Sequence, residues 1–125
     1  MNTHSATLKN RREYERKPVQ VIVHFNFRGQ EKVYETLSLN LSPISIFIQA
    51  EREVLNLMLT GESVVAMVEF QKNLFIRLSG YVVRLDLIAE SSGFAMKFLE
   101  LDETQKRILA NLMIQEHRFR DTMNV

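Results

Sequence analysis

The chain of 125 residues contains no cysteine, which excludes a disulfide framework, thiolate chemistry and Cys-ligated zinc and fits a reducing compartment. It lacks an excess of either charge: 16 Lys and Arg stand against 15 Asp and Glu. No global field therefore exists to hold a long polyanion at physiological salt. Any anion site must be local, and nucleic acid is a poor partner for the chain. No hydrophobic run approaches the roughly 18–20 residues of a membrane span, and the N-terminus has no apolar stretch of the signal-peptide kind. Membrane insertion is not expected, and the cytoplasm is the simplest location. The histidines His4, His24 and His117 form no pair at a metal-ligand spacing, so no metal site is expected. A nucleophile elbow, a phosphate-binding glycine loop and a helical metal motif are all missing. The acids Asp86, Glu90, Glu100 and Asp102 lie near strand ends or a helix start, where solvation and capping explain them. The chain reads as a non-enzyme.

What is present is one domain's worth of alternating sequence. Met1 to Lys17 is a polar arm carrying Lys9, Arg11, Arg12, Arg16 and Lys17, with no apolar periodicity. Pro18 then introduces Val19, Val21, Val23, Phe25 and Phe27 at strict period two, the mark of a half-buried strand. Arg28-Gly29-Gln30 turns into a second strand over Lys32 to Asn40, with Val33, Tyr34 and Thr36. Ser42 and Pro43 interrupt the ladder before Ile44, Ile46 and Ile48 resume it. A connection over Glu51 to Leu59 and a turn at Gly61 lead to a fourth strand with Val64, Ala66, Val68 and Phe70. Lys72-Asn73 turns into a fifth from Leu74 to Asp86, whose Gly80 marks a bulge or a barrel corner, and a sixth carries Phe94, Met96 and Phe98. At Asp102 the period changes. Asp102 and Gln105 form a capping box, and Ile108, Leu109, Leu112, Met113 and Phe119 mark one helical face. The expected layout is an arm over residues 1–17, a mainly β six-stranded antiparallel barrel over 18–101, and a C-terminal α-helix and tail over 102–125.

Two residue groups stand out chemically. Arg12 and Arg16 set two guanidinium forks four residues apart, and Asn40 and Ser42 put short polar side chains at a strand end. Arginine combines a permanent charge, a planar fork for phosphate oxygens or the O6/N7 edge of guanine, and a flat face for stacking. The set suits a guanine nucleotide with phosphates. Ser42 beside Pro43 also has the ordinary chemistry of a turn, and both roles can coexist.

Arg12-Glu13-Tyr14-Glu15-Arg16 resembles the RxxxR motif of PilZ domains, and Asn40-Leu41-Ser42-Pro43-Ile44-Ser45 resembles their (D/N)xSxxG motif. Gly80-Tyr81-Val82-Val83-Arg84 and Gly93-Phe94-Ala95-Met96-Lys97-Phe98 resemble the later strand pattern of the family. The resemblance implies a PilZ-like barrel and a non-catalytic receptor for cyclic di-GMP, with Arg12, Arg16, Asn40, Ser42 and Ser45 at the ligand and Arg11 as an additional candidate. It implies signalling through a protein effector, and a single-domain receiver of this kind is expected to act in trans. Ser45 stands where the family motif has glycine. If that glycine serves a positive φ or a close backbone approach, serine costs on the order of 1–3 kcal/mol, or about five- to 150-fold in affinity. If the position is tolerant, Ser45 costs little. The alternative is a degenerate PilZ adaptor that binds no nucleotide and acts through protein contacts, for instance in pilus or flagellar motility. The distal helix near Phe119 and Met123 is a candidate homodimer or partner contact.

Overall fold

The computed structural model describes residues 20–88 and 91–123, together with their side chains except those of residue 39 and residues 115–123. The period-two segments form six strands: β1 (Ile22–Phe27), β2 (Tyr34–Leu41), β3 (Ser45–Gln49), β4 (Ser63–Gln71), β5 (Leu74–Asp86) and β6 (Gly93–Phe98). All neighbours are antiparallel, and the order β1-β2-β3-β6-β5-β4 closes on itself as β4 returns to β1. A one-turn helix, α1 (Arg52–Leu55), lies between β3 and β4, and a long helix, α2 (Glu103–Met123), follows β6.

Alternation puts every second side chain inside the barrel, so the apolar phase of each strand becomes the core. Phe25 lies near its centre, stacked on Tyr34 with ring centroids 5.2 Å apart and edge-on to Phe94 at 5.0 Å. Val23, Ile48, Ala66, Val68, Leu78 and Met96 surround these rings with essentially no exposure. Close packing also explains Gly80. A Cβ there would run into the backbone carbonyl of Lys97, so the absence of a side chain lets β5 and β6 approach.

The capping box at the start of α2 forms in both directions. Gln105 N–H donates to Asp102 Oδ1 at 2.7 Å, and Asp102 N–H donates to Gln105 Oε1 at 2.8 Å. The Gln105 amide also donates to the Arg77 carbonyl at 2.8 Å, which ties the first turn to β5. Leu109 and Leu112 are buried, with Ile108 and Met113 packed beside them. Among the described residues no helix is long and apolar enough to cross a membrane.

The strand boundaries differ from the sequence expectation in three places. β1 begins at Ile22, with Val21 just ahead of it, while Val19 lies outside the described residues. β2 begins at Tyr34, which leaves Val33 57% exposed in the preceding loop. Ile44 is 62% exposed and outside β3, because its N–H is taken by the Ser42 hydroxyl in the turn. The connection after Glu51 contains α1, which buries Leu55; a single turn is too short to produce a helical period in the sequence. The bulge in β5 falls at Val83, three residues beyond Gly80.

Candidate functional site

Two register slips decide which side chains reach the outer face at one end of the barrel. In the β2–β3 ladder Ser38 pairs with Ile48 and Asn40 with Phe47, so Leu39 is an extra residue. Unbroken period two, with Tyr34 and Ser38 toward the core, would carry Asn40 inward and Leu41 outward. The bulge reverses both: Asn40 is exposed, while Leu41 is buried at 7% exposure. In the β5–β6 ladder Val82 pairs with Met96 and Arg84 with Ala95, leaving Val83 extra. Arg84 is thereby turned outward, and Leu85 packs against the core.

The two re-aimed side chains end a single cross-strand row. Asn40 pairs with Phe47, Phe47 with Ala95, and Ala95 with Arg84, across β2, β3, β6 and β5. At about 4.8 Å between strands, the row spans roughly 14 Å. Small Ala95 forms a low floor. The Arg84 guanidinium bends back across it to lie over the Phe47 ring, 5.7 Å from its centroid. Asn40, Ser42, Ser45, Phe47, Arg84 and Met113 all line the resulting concavity of about 450 Å³. The Asn40 amide makes no hydrogen bond to the described residues, and Arg84 has no carboxylate partner among them.

The rim beside Asn40 is shaped by Ser42. Its Oγ accepts the N–H of Ile44 at 3.2 Å and of Ser45 at 3.0 Å, and donates to the Ser45 carbonyl at 3.2 Å with Ser45 Oγ 3.0 Å away. A hydroxyl has one proton and two acceptor sites. All three are occupied within the turn. Ser42 N–H also donates to the Ser45 carbonyl at 2.9 Å, so side chain and backbone close the same four residues. Among described non-glycine residues, positive φ occurs at Arg28 and Asn73, and Ser45 is in ordinary strand geometry. A positive-φ cost for serine at this position therefore does not arise.

Of the residues singled out in the sequence, Asn40, Ser42 and Ser45 are thus brought together, whereas Arg11, Arg12 and Arg16 lie outside the described residues. Phe47, Ala95, Arg84 and Met113 complete the concavity without having been singled out as site residues. A signal for Arg84 was available. The buried positions of β5 run Ile76, Leu78, Gly80, Val82 and then step by three to Leu85, which is the signature of an inserted residue.

The PilZ domain family model matches residues 10–115, and the chain belongs to the PilZ family. The PilZ fold is a receptor fold for cyclic di-GMP. Three solved structures share the architecture. The Bacillus subtilis inhibitor of motility MotI/DgrA aligns with a TM-score of 0.65 and 17% identity, over 81% of this chain and 48% of that one. The PilZ domain of CeSA from a cellulose-synthesizing bacterium aligns at 0.59 and 13% identity, over 80% and 95%. The PilZ domain of Escherichia coli YcgR, solved with c-di-GMP, aligns at 0.58 and 10% identity, over 83% and 88%. The match thus spans about half the length of MotI, and identities this low speak to the fold alone. No curated protein sequence shows significant similarity to the chain.

Proposed function

We propose that this chain binds cyclic di-GMP in the concavity between β2 and β5 and signals by changing its interaction with a partner protein. The observation that carries the reading is the row Asn40–Phe47–Ala95–Arg84, which puts on one outer face an amide with no hydrogen bond and a guanidinium with no carboxylate partner among the described residues. A purine can stack on the guanidinium plane that Phe47 supports, while Asn40 offers a donor and an acceptor to a base edge. Arg12 and Arg16 of the RxxxR motif supply charge-assisted contacts to phosphate and guanine. Ser42 and Ser45 act by fixing the turn that holds Asn40 in place. Motility is the candidate process, on the likeness to MotI.

Calorimetric titration of the full chain with cyclic di-GMP tests the reading. Measurable heat with a defined stoichiometry is expected. Arg12→Ala and Arg16→Ala should each weaken binding by about 1.5 kcal/mol or more, the scale of a hydrogen bond to a charged group, with little change in melting temperature. Silence at high micromolar ligand would overturn it. A second reading, an adaptor that binds no nucleotide, is favoured by one observation: the Ser42 hydroxyl is fully engaged within its own turn. In that case Phe47, Met113 and exposed Ile44 would meet a protein.

A further inference from the structure

The β2–β3 contact closes only part of the barrel wall. Pairing with β3 begins at Ser38, so Tyr34 to Leu37 are paired with β1 on one side and with no strand among the described residues on the other. β3 meanwhile stays with β6: Ala50 N–H donates to the Ser92 carbonyl at 3.2 Å, and the Ser92 hydroxyl donates to the Ala50 carbonyl at 2.7 Å. The two strands diverge, and a groove of about 640 Å³ opens between them, its walls including Phe25, Tyr34, Leu37, Glu51 and Val54. It shares no lining residue with the nucleotide concavity.

The polarity of the open edge follows from the ladder. Ser38 N–H donates to the Val21 carbonyl at 3.0 Å, so alternation points the backbone groups of Thr36 and Tyr34 toward β1 and those of Glu35 and Leu37 toward the groove. At about 3.3 Å per residue, Tyr34 to Leu37 gives an edge of roughly 13 Å. Leu37 on it is 40% exposed and Val33 just ahead of it 57%, without the proline or bulge that blunts an edge. We infer that this seam receives an extended segment of a partner protein as an added β-strand, with apolar side chains facing Phe25, Tyr34 and Val54 and basic side chains facing out beside Glu35 and Glu51.

Charge selects that occupant. Glu35 and Glu51 line the groove, with His24 3.8 Å from Glu35 and the Lys32 ammonium set over the Tyr34 ring at 5.1 Å. A second copy paired antiparallel about Glu35 would oppose two carboxylates, whereas a lysine or arginine there meets an opposite charge. The added strand would satisfy backbone groups on the Glu35–Leu37 edge, and its inward side chains would cover the half-buried Tyr34 ring at the seam.

The probe is a capped eight-residue peptide of alternating valine and lysine, titrated into the full chain by NMR. Saturable binding is expected, with slowed amide exchange at Glu35 and Leu37. Of two versions N-methylated on the valine or on the lysine amides, one should bind about tenfold or more weakly, because it loses the pairing edge. Glu35→Lys with Glu51→Lys should weaken the parent peptide by a similar factor and leave the Asn40 and Arg84 resonances in place. Equal binding of both methylated peptides would reveal charge attraction only and overturn the inference. So would absence of binding at millimolar peptide, or protection located elsewhere.

Discussion

Arg84 offers the sharpest separation of fold from function, because a bulge puts it outside the core and no carboxylate among the described residues holds it. Its fixed contact is the Phe47 face at 5.7 Å, an exposed cation–π arrangement contributing about 0.5–1 kcal/mol. Arg84→Ala should therefore lower folding stability by no more than that. In the proposed complex the guanidinium would supply a stacking plane and charge-assisted hydrogen bonds, and a bond of that kind contributes about 1.5–3 kcal/mol. The expected loss is about ten- to 150-fold in cyclic di-GMP affinity. Arg84→Lys keeps the charge but loses the plane and the fork, so it should recover less than half of that free energy. Calorimetry at fixed ionic strength reads the affinity, and chemical denaturation without ligand reads the stability. Wild-type affinity in Arg84→Ala would refute the assignment. A stability loss above about 2 kcal/mol would instead make Arg84 structural.

Ala95→Leu raises the floor between Phe47 and Arg84 without changing any charge; affinity should fall more than tenfold while the denaturation midpoint shifts by about 1 kcal/mol or less, and unimpaired binding would mean the ligand does not use this floor. Ser45→Gly removes the oxygen beside Ser42 and relieves no positive φ, so titration should show unchanged or weaker binding and denaturation a loss of about 0.5–1 kcal/mol; a tenfold gain in affinity would contradict the turn described above. Gly80→Ala drives a methyl into the Lys97 carbonyl and should destabilise the barrel by at least about 1–3 kcal/mol, a cost that an unchanged melting curve would disprove. Gln105→Ala loses half of the capping box and the bond to the Arg77 carbonyl, a combined cost of about 1–2 kcal/mol readable by thermal melting, with unchanged stability as the refuting result.

The barrel was legible because its core is periodic. Strands β4, β5 and β6 carry long or uninterrupted alternation and lie where the pattern puts them, and β5 runs from Leu74 to Asp86 as expected. The capping box at Asp102 and Gln105 was equally local and equally readable. Errors fell where a local turn or a tertiary contact overrides the apolar pattern. Ile44 continues the apolar phase of Ile46 and Ile48 but is pulled into the turn by the Ser42 hydroxyl, and α1 exists because Leu55 has a core to enter.

The site was half legible for a different reason. Asn40, Ser42 and Ser45 are contiguous, so a motif can carry them, whereas Arg84 and Ala95 join them only through pairing across β3, β6 and β5. Such pairing depends on register, and register is what a bulge changes. A barrel strand must keep one face largely apolar to hold the core, which disfavours an amide or a guanidinium at an inward position. A bulge relaxes that constraint locally: Asn40 and Arg84 occupy inward phase in the sequence, yet each faces out, and Leu41 and Leu85 restore the core one residue later. The strands thus maintain a closed core and still present an amide and a guanidinium on one outer row.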